Sequence, residues 1–316
     1  MTLPTVDLAG LGFDAGAHIL VRLALDEVEP GSEVGVVGTH PELLGDLTAW
    51  CRSQGHTCLP NGGVPGVRAL VRKGRASVAA WVGSVRAGSA AASDSDAVAA
   101  HAPPSWGLAA RGAAVEPGGP EPEFRLAERD ELWTDRAAAL YAQAIAAQWD
   151  PATAIDWDEP ITHSVRMETA VVQLMTFLIE NEEAALVVPA RFLGQVHPHF
   201  REVQQVLAVT LADEARHIEV FTRRATMSGC ELGLSSSGGR ASLQTLLDEP
   251  DFAVASFLLS VMGEGTFVSL LGFLERYASD PVTRRVARLT CQDEARHVAF
   301  SLSHLERHAR IEAGLT

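Results

Sequence analysis

The pentapeptide Asp-Glu-Ala-Arg-His occurs twice, at 213–217 and 293–297. Each copy places a glutamate three residues before a histidine: Glu214 with His217, and Glu294 with His297. On a helix, positions i and i+3 share a face, so the carboxylate and imidazole of each pair can reach one cation. One such pair is commonplace on a solvated helix; a repeated five-residue identity at matched phase is not. The chemistry indicated is metal binding by oxygen and nitrogen ligands.

The elements carrying these pairs must turn them inward. Val203, Leu207, Thr210, Glu214, His217 and Phe221 advance in alternating steps of four and three, as do Ala287, Thr290, Glu294, His297 and Ser301. Both stripes have the period of a core-facing helix surface. Buried carboxylates cost several kcal/mol unless paired or metal-bound, so a cation is required. Two divalent ions carry four positive charges and call for two further carboxylates, one from each remaining helix of a four-helix bundle. Of Glu180, Glu182 and Glu183, only Glu182 falls on the stripe Val171, Met175, Leu178, Ala185. Glu183 lies about 100° and Glu180 about 160° off it. Glu264 is the one acid on the stripe Phe257, Val261, Val268, Leu271. The expected ligands are therefore Glu182, Glu214, His217, Glu264, Glu294 and His297. Oxygen and nitrogen donors with open positions suit iron or manganese better than zinc. Two iron ions are expected, with manganese or a mixed Mn/Fe pair left open.

Metal-bound histidine usually donates its second N–H to a carboxylate. Asp213 is expected to orient His297, and Asp293 to orient His217, across the bundle; the alternative is a surface acid beside a neighbouring arginine. Arg216 and Arg296 then balance these acids or lie on the outer face. Glu264 stands between Gly263 and Gly265, and glycine within a helix costs about 1 kcal/mol relative to alanine. Space beside the metals, a π-bulge and close helix packing are the competing reasons. Thr266, the nearest hydroxyl on that helix, is a candidate for proton delivery, and Glu264 for the carboxylate that changes its binding mode.

Four helices are predicted at 164–188, 199–228, 251–277 and 281–311, after a leading helix over 127–148. Pro189 should end or kink the first, and the run Ser235-Ser236-Ser237-Gly238-Gly239 should break the second from the third. Residues 252–274 are apolar except for Glu264 and long enough to span a bilayer; a helix buried nearly all round within a bundle is favoured, because a lone mid-bilayer carboxylate is costly. Upstream, residues 34–38 read as a buried strand, 41–54 as a helix and 66–83 as a closing hairpin. Residues 84–124, crowded with Ala, Gly, Ser and Pro, read as a flexible linker.

The 316 residues carry a net charge of −15, which argues against a nucleic-acid partner. Four scattered cysteines and no visible secretory signal point to a reducing, cytoplasmic setting.

Residues 125–316 resemble the ferritin-like diiron-carboxylate superfamily, the string LIENEEAAL around Glu182 and the two DEARH motifs being most similar to its oxygen-activating branch. That resemblance implies an all-α four-helix bundle and an O2-dependent oxidase or oxygenase acting on a small organic substrate, with an external electron donor. Ferroxidase, peroxide-scavenging or iron-handling activity is the alternative. Where a ribonucleotide reductase small subunit keeps its radical tyrosine, four residues after the first ligand histidine, this chain has Phe221. A radical-storing role is not expected. Residues 1–83 resemble the TusA-like sulfur carriers, a small α/β fold of order βαβαββ, in the strings VDLAGLGFD, ALDEVEPGSEV and LTAWCRSQGHTCL. Phe13 and Asp14 replace that family's Cys-Pro, which excludes sulfur carriage there; Cys51 is expected to be a packed core thiol. The domain is read as a degenerate docking or dimerisation module.

Overall fold

The computed structural model describes residues 3–60, 64–74, 84–90 and 98–312. Two compact bodies are present, residues 1–85 with 114–118, and residues 86–113 with 119–316.

In the first body the order is β1 (Thr5–Asp7), α1 (Ala17–Asp26), β2 (Glu33–Val37), α2 (Leu43–Gln54), β3 (Thr57–Pro60) and β4 (Ala69–Arg72). The sheet order is β1-β2-β4-β3, with β1 parallel to β2 and the other pairs antiparallel. This is the expected βαβαββ succession. Ala17, Val21 and Leu25 on α1 and Leu43, Leu47 and Cys51 on α2, each four apart, form the faces that cover the sheet, meeting Val34, Val36 and Val71. Burial, and secondarily Cys58, raises the Cys51 thiol to about 12, so it behaves as a core side chain. Of the predicted 66–83 hairpin, β4 is seen, paired with β3; residues 75–83 lie outside the described residues.

The second body is an α-helical bundle. Its helices are α3 (Ala137–Ala146), α4 (Val165–Leu193), α5 (Arg201–Thr226), α6 (Ser237–Asp248), α7 (Phe252–Tyr277) and α8 (Pro281–Glu312). α4 packs along α5 and α7 along α8, with short connections at 194–200 and 278–280 reversing the chain within each pair. Ser164 caps α4 by accepting from the Met167 N–H, and Asp251 caps α7 by accepting from the Val254 N–H.

Several elements differ from expectation. α4 runs through Pro189 to Leu193: Val188 and Phe192 are buried in the core, and their burial, about 1.5–3 kcal/mol each, offsets the hydrogen bond proline lacks. The leading helix is split into a turn at Arg129–Leu132 and α3, because the Thr134 hydroxyl accepts from the Arg136 N–H and Asp135 accepts from the Trp133 indole. The second predicted helix is broken from the third as expected, but the break itself holds a further helix, α6, which Ser236 caps through the Gly239 N–H.

Part of the presumed linker is docked. Val98 and Ala102 join the bundle core, the Ala99 N–H donates to His199 Nε2, and buried Arg111 grips Glu202 with an Nη1–Oε2 distance of 2.8 Å. Charged and backbone contacts hold a stretch whose few large apolar residues suggested none. The outward face of α7 also departs from the all-round burial expected, since Phe257, Met262, Phe273 and Tyr277 are exposed.

Candidate metal centre

The three ligand-bearing stripes on α4, α5 and α8 are buried throughout: Met175, Leu178 and Glu182; Thr210, Glu214, His217 and Phe221; Thr290, Glu294 and His297. On α7 the predicted stripe fails upstream of Glu264. Phe257–Glu264 is π-helical, so each turn there takes more residues than the 3.6 assumed. The inward positions become Leu259, Ser260 and Glu264, while Phe257 faces out. The flanking glycines fit this distortion better than close packing, for a Cβ built on Gly263 or Gly265 would come no nearer than 3.5 Å to Leu258 O or 3.8 Å to Ser260 O.

All six residues singled out by spacing converge. Glu182, Glu214, His217 and Glu294 form one group and Glu214, Glu264, Glu294 and His297 a second, with donor atoms in each within 4.8 Å of one another. Glu214 and Glu294 belong to both. Both histidines aim Nδ1 inward: His217 Nδ1 is 3.1 Å from Glu214 and 3.2 Å from Glu294, and His297 Nδ1 is 3.0 Å from Glu214.

Their Nε2 atoms point outward to the carboxylates expected of them. His217 Nε2 lies 3.1 Å from Asp293 and His297 Nε2 3.3 Å from Asp213. Arg216 bonds both Asp213 and Asp293, while Arg296 bonds Asp293 and lies 3.8 Å from Asp213. The arginines therefore balance the acids and do not sit apart on the outer face. Two further partners went unnoticed in the sequence: the Trp149 indole donates to Asp293 and the Gln148 amide to Asp213, both at 2.8 Å. Arg216 stacks over the Trp149 ring at 4.7 Å. Both residues lie just past α3, where no periodicity marks a direction, and no signal in the sequence points to them.

With the two aspartates matched by the two arginines, the four glutamates have, among the described residues, only the two histidines beside them as basic partners. Burial opposes ionisation of Glu182 and Glu264, and the neighbouring Glu294 and Glu214 carboxylates act in the same sense, raising both well above the usual range. Burial disfavours the charged form of His217, but the Asp293 carboxylate and the nearby Glu182, Glu214 and Glu294 carboxylates outweigh it and raise its pKa. Glu182 Oε1, Glu214 Oε1, Glu264 Oε2, both Glu294 oxygens and His297 Nδ1 are buried without a hydrogen-bond partner. Buried orphan acceptors are costly. Six of them around four glutamates, whose full ionisation would supply four negative charges, fit a pair of divalent cations.

Thr266 does not take part. It is exposed, and its hydroxyl donates to Met262 O at 2.7 Å. It lies two residues beyond Glu264, on the opposite side of the helix. The buried hydroxyl one turn before Glu264 is that of Ser260, which acts against burial to favour the ionised carboxylate. Ser260, Glu264 and His297 line one wall of an apolar cavity of about 30 Å³, closed by Phe192, Phe252 and Leu259 among others. That is room for a diatomic or one or two water molecules.

No protein-family model and no curated protein matches the chain. Among solved structures it is similar to R2-like ligand-binding oxidase with an aerobically reconstituted Mn/Fe cofactor, at 19% identity, TM-score 0.43, over 57% of this chain and 75% of that one. A variant of that oxidase gives 19% identity and TM-score 0.45, covering 57% and 72% of the two chains.

Proposed function

We propose that the bundle holds two iron ions and acts as an O2-dependent oxidase or oxygenase on a small organic substrate, drawing on an external electron donor. The carrying observation is the pair of overlapping four-residue groups that share Glu214 and Glu294 and leave six buried acceptor atoms unpartnered. Glu182 and His217 would hold one ion, Glu264 and His297 the other, and the two shared glutamates both. When bound, the ions supply redox chemistry and Lewis acidity that no side chain here provides. The chain's own part is positional. Asp213 and Asp293 fix the ring orientation of the histidines, keeping each Nε2 protonated and each Nδ1 free to ligate. Glu264, on the distorted helix, is the carboxylate able to change its binding mode, and the Ser260 hydroxyl positions it. The apolar wall keeps bulk water from the site. Donor type does not separate iron from manganese, so a manganese or Mn/Fe pair is retained as a variant of the same reading. We take the N-terminal body as a docking or dimerisation module and the reducing cytoplasm as the setting.

A specific observation favours a second reading. A cavity of about 30 Å³ admits dioxygen or peroxide but not an organic substrate unless α7 moves, which suits ferroxidase or peroxide-scavenging chemistry. Titration of the anaerobic protein with ferrous iron, followed by oxygen, separates the two. Oxidation that stops at about two irons per chain supports the oxidase; continued oxidation of many irons per chain supports iron handling.

A further inference from the structure

The N-terminal body holds a polar cavity of about 330 Å³ whose walls include Arg22, Asp26, Trp50, Gln54, His56 and Lys73. Its construction follows from the helix faces. Val21 and Leu25 turn α1 into the core, so Arg22 and Asp26, one position on from each, stand at the edge of that face. Leu47 and Cys51 do the same for α2, leaving Trp50 and Gln54, four apart, on its flank.

The fourth side is set by a close backbone approach. Gly55 ends α2 with φ +73°, and a Cβ on Gly74 would fall 1.7 Å from Gly55 O. Only glycine permits this contact, and it brings the end of β4 against the end of α2. The Gly74 N–H donates to His56 Nδ1 at 3.0 Å, which leaves the ring proton on Nε2. The Trp50 ring stands 5.6 Å from the His56 ring. Lys73 is only 6% exposed, and its ammonium donates to Val28 O at 2.8 Å. One carbonyl uses one of three donors.

Neither Arg22 nor Lys73 forms an ion pair among the described residues. A buried ammonium without a counter-charge is costly. Asp26 is the one acid among the described lining residues. The pKa of His56 is lowered, by burial first and by the Lys73 charge second, against a smaller opposing pull from Asp26. In a chain of net charge −15, this cavity is positive and rich in donors. Its volume is that of a small-molecule site.

We propose that the cavity binds a small organic acid, its carboxylate between Lys73, Arg22 and the His56 Nε2–H, and its planar or apolar body against Trp50. The pairing of charge-assisted donors with an aromatic wall is what such a ligand requires. Nothing in this inference depends on the metal centre.

The test is calorimetric titration of the full-length protein at pH 7 and fixed ionic strength, with benzoate as probe and benzamide as its neutral counterpart. Saturable binding of one benzoate per chain is expected, with benzamide at least about tenfold weaker and Arg22→Gln and Lys73→Gln each lowering benzoate affinity about tenfold. Arg22 is exposed, so its variant tests the site even if the buried-lysine variant fails to fold. Dependence on Arg22 also distinguishes this site from benzoate bound at the metals. No saturable benzoate binding, equal binding of benzamide, or affinity unchanged in Arg22→Gln would overturn the proposal.

Discussion

His217 on α5 directs its Nε2 at Asp293 on α8, 3.1 Å away, while His297 on α8 directs its own at Asp213 on α5, 3.3 Å away. The two DEARH segments thus exchange supports: each aspartate serves the histidine of the other copy. Repetition of four of the five residues follows from this reciprocity, since the two ligands, the orienting acid and the balancing arginine are needed in both helices; nothing in the structure explains the repeated alanine.

Asp293→Ala should lower metal affinity about 10–100-fold, with Asp293→Asn closer to wild type because its amide oxygen can still accept from Nε2–H. Competition of bound metal against a chelator measures both. Equal affinity in Asp293→Ala and wild type would show that the pairing is incidental.

Glu214→Ala should remove the dinuclear spectroscopic signal, since Glu214 stands in both groups. Glu183→Ala, at an exposed position one residue from Glu182, should leave it intact. The opposite pair of results would refute the assignment of helical faces.

Ser260→Ala should weaken metal retention at the Glu264 side about tenfold, because the proposed positioning of that carboxylate by the Ser260 hydroxyl is worth about one hydrogen bond to a charged group. Thr266→Ala should behave as wild type, its hydroxyl being spent on Met262 O. Stepwise metal release under chelator reads out both variants.

Acid stability has a separate origin at the far end of the bundle. The Arg224 guanidinium, bonded twice to Glu168 at 2.8 and 2.9 Å, holds that carboxyl down to about 2, and Asp280 is lowered as well. A depressed folded-state pKa contributes stability that is complete above about 4.5 and lost as pH falls towards 2. The contribution from Glu168 is on the order of 3 kcal/mol. Arg224→Gln should destabilise by about 3–5 kcal/mol at neutral pH, because two acids stay buried without their partner. Denaturant titrations across pH check it; a variant within 1 kcal/mol of wild type (roughly the exposed-pair level) would show that the cluster contributes little.

Buried histidines act at milder pH. His304 and His199 are lowered to about 4, each chiefly by burial. Their stabilising effect is complete above about 6.5 and lost as pH falls through 4. Unfolding free energy should therefore already decline between pH 6.5 and 4, and His304→Leu should flatten that slope. An unchanged slope would mean that His304 is charged in the fold.

The legibility of the site followed its physics. Helices α4, α5 and α8 keep the 3.6-residue period through the ligands, so counting selected Glu182 over Glu183 and placed both Glu-His pairs inward. Glu264 was found because it is the lone acid in an apolar helix, but its neighbours were misplaced: the π-helical turn before it shifts phase, turning Phe257 out and Ser260 in. Thr266 is near Glu264 in sequence, but two residues along a helix turn a side chain to the opposite face. Gln148, Trp149 and the docked Arg111 sit in irregular chain, where direction is set by tertiary partners that no local pattern encodes.

The central claim is that two metal ions share Glu214 and Glu294. Mössbauer spectroscopy and metal analysis of the full-length protein, reconstituted anaerobically with iron and then exposed to oxygen, test it directly. About two irons per chain with a coupled dinuclear ferric signal after oxygen is the predicted result; less than one iron per chain, or a mononuclear signal, would contradict the account.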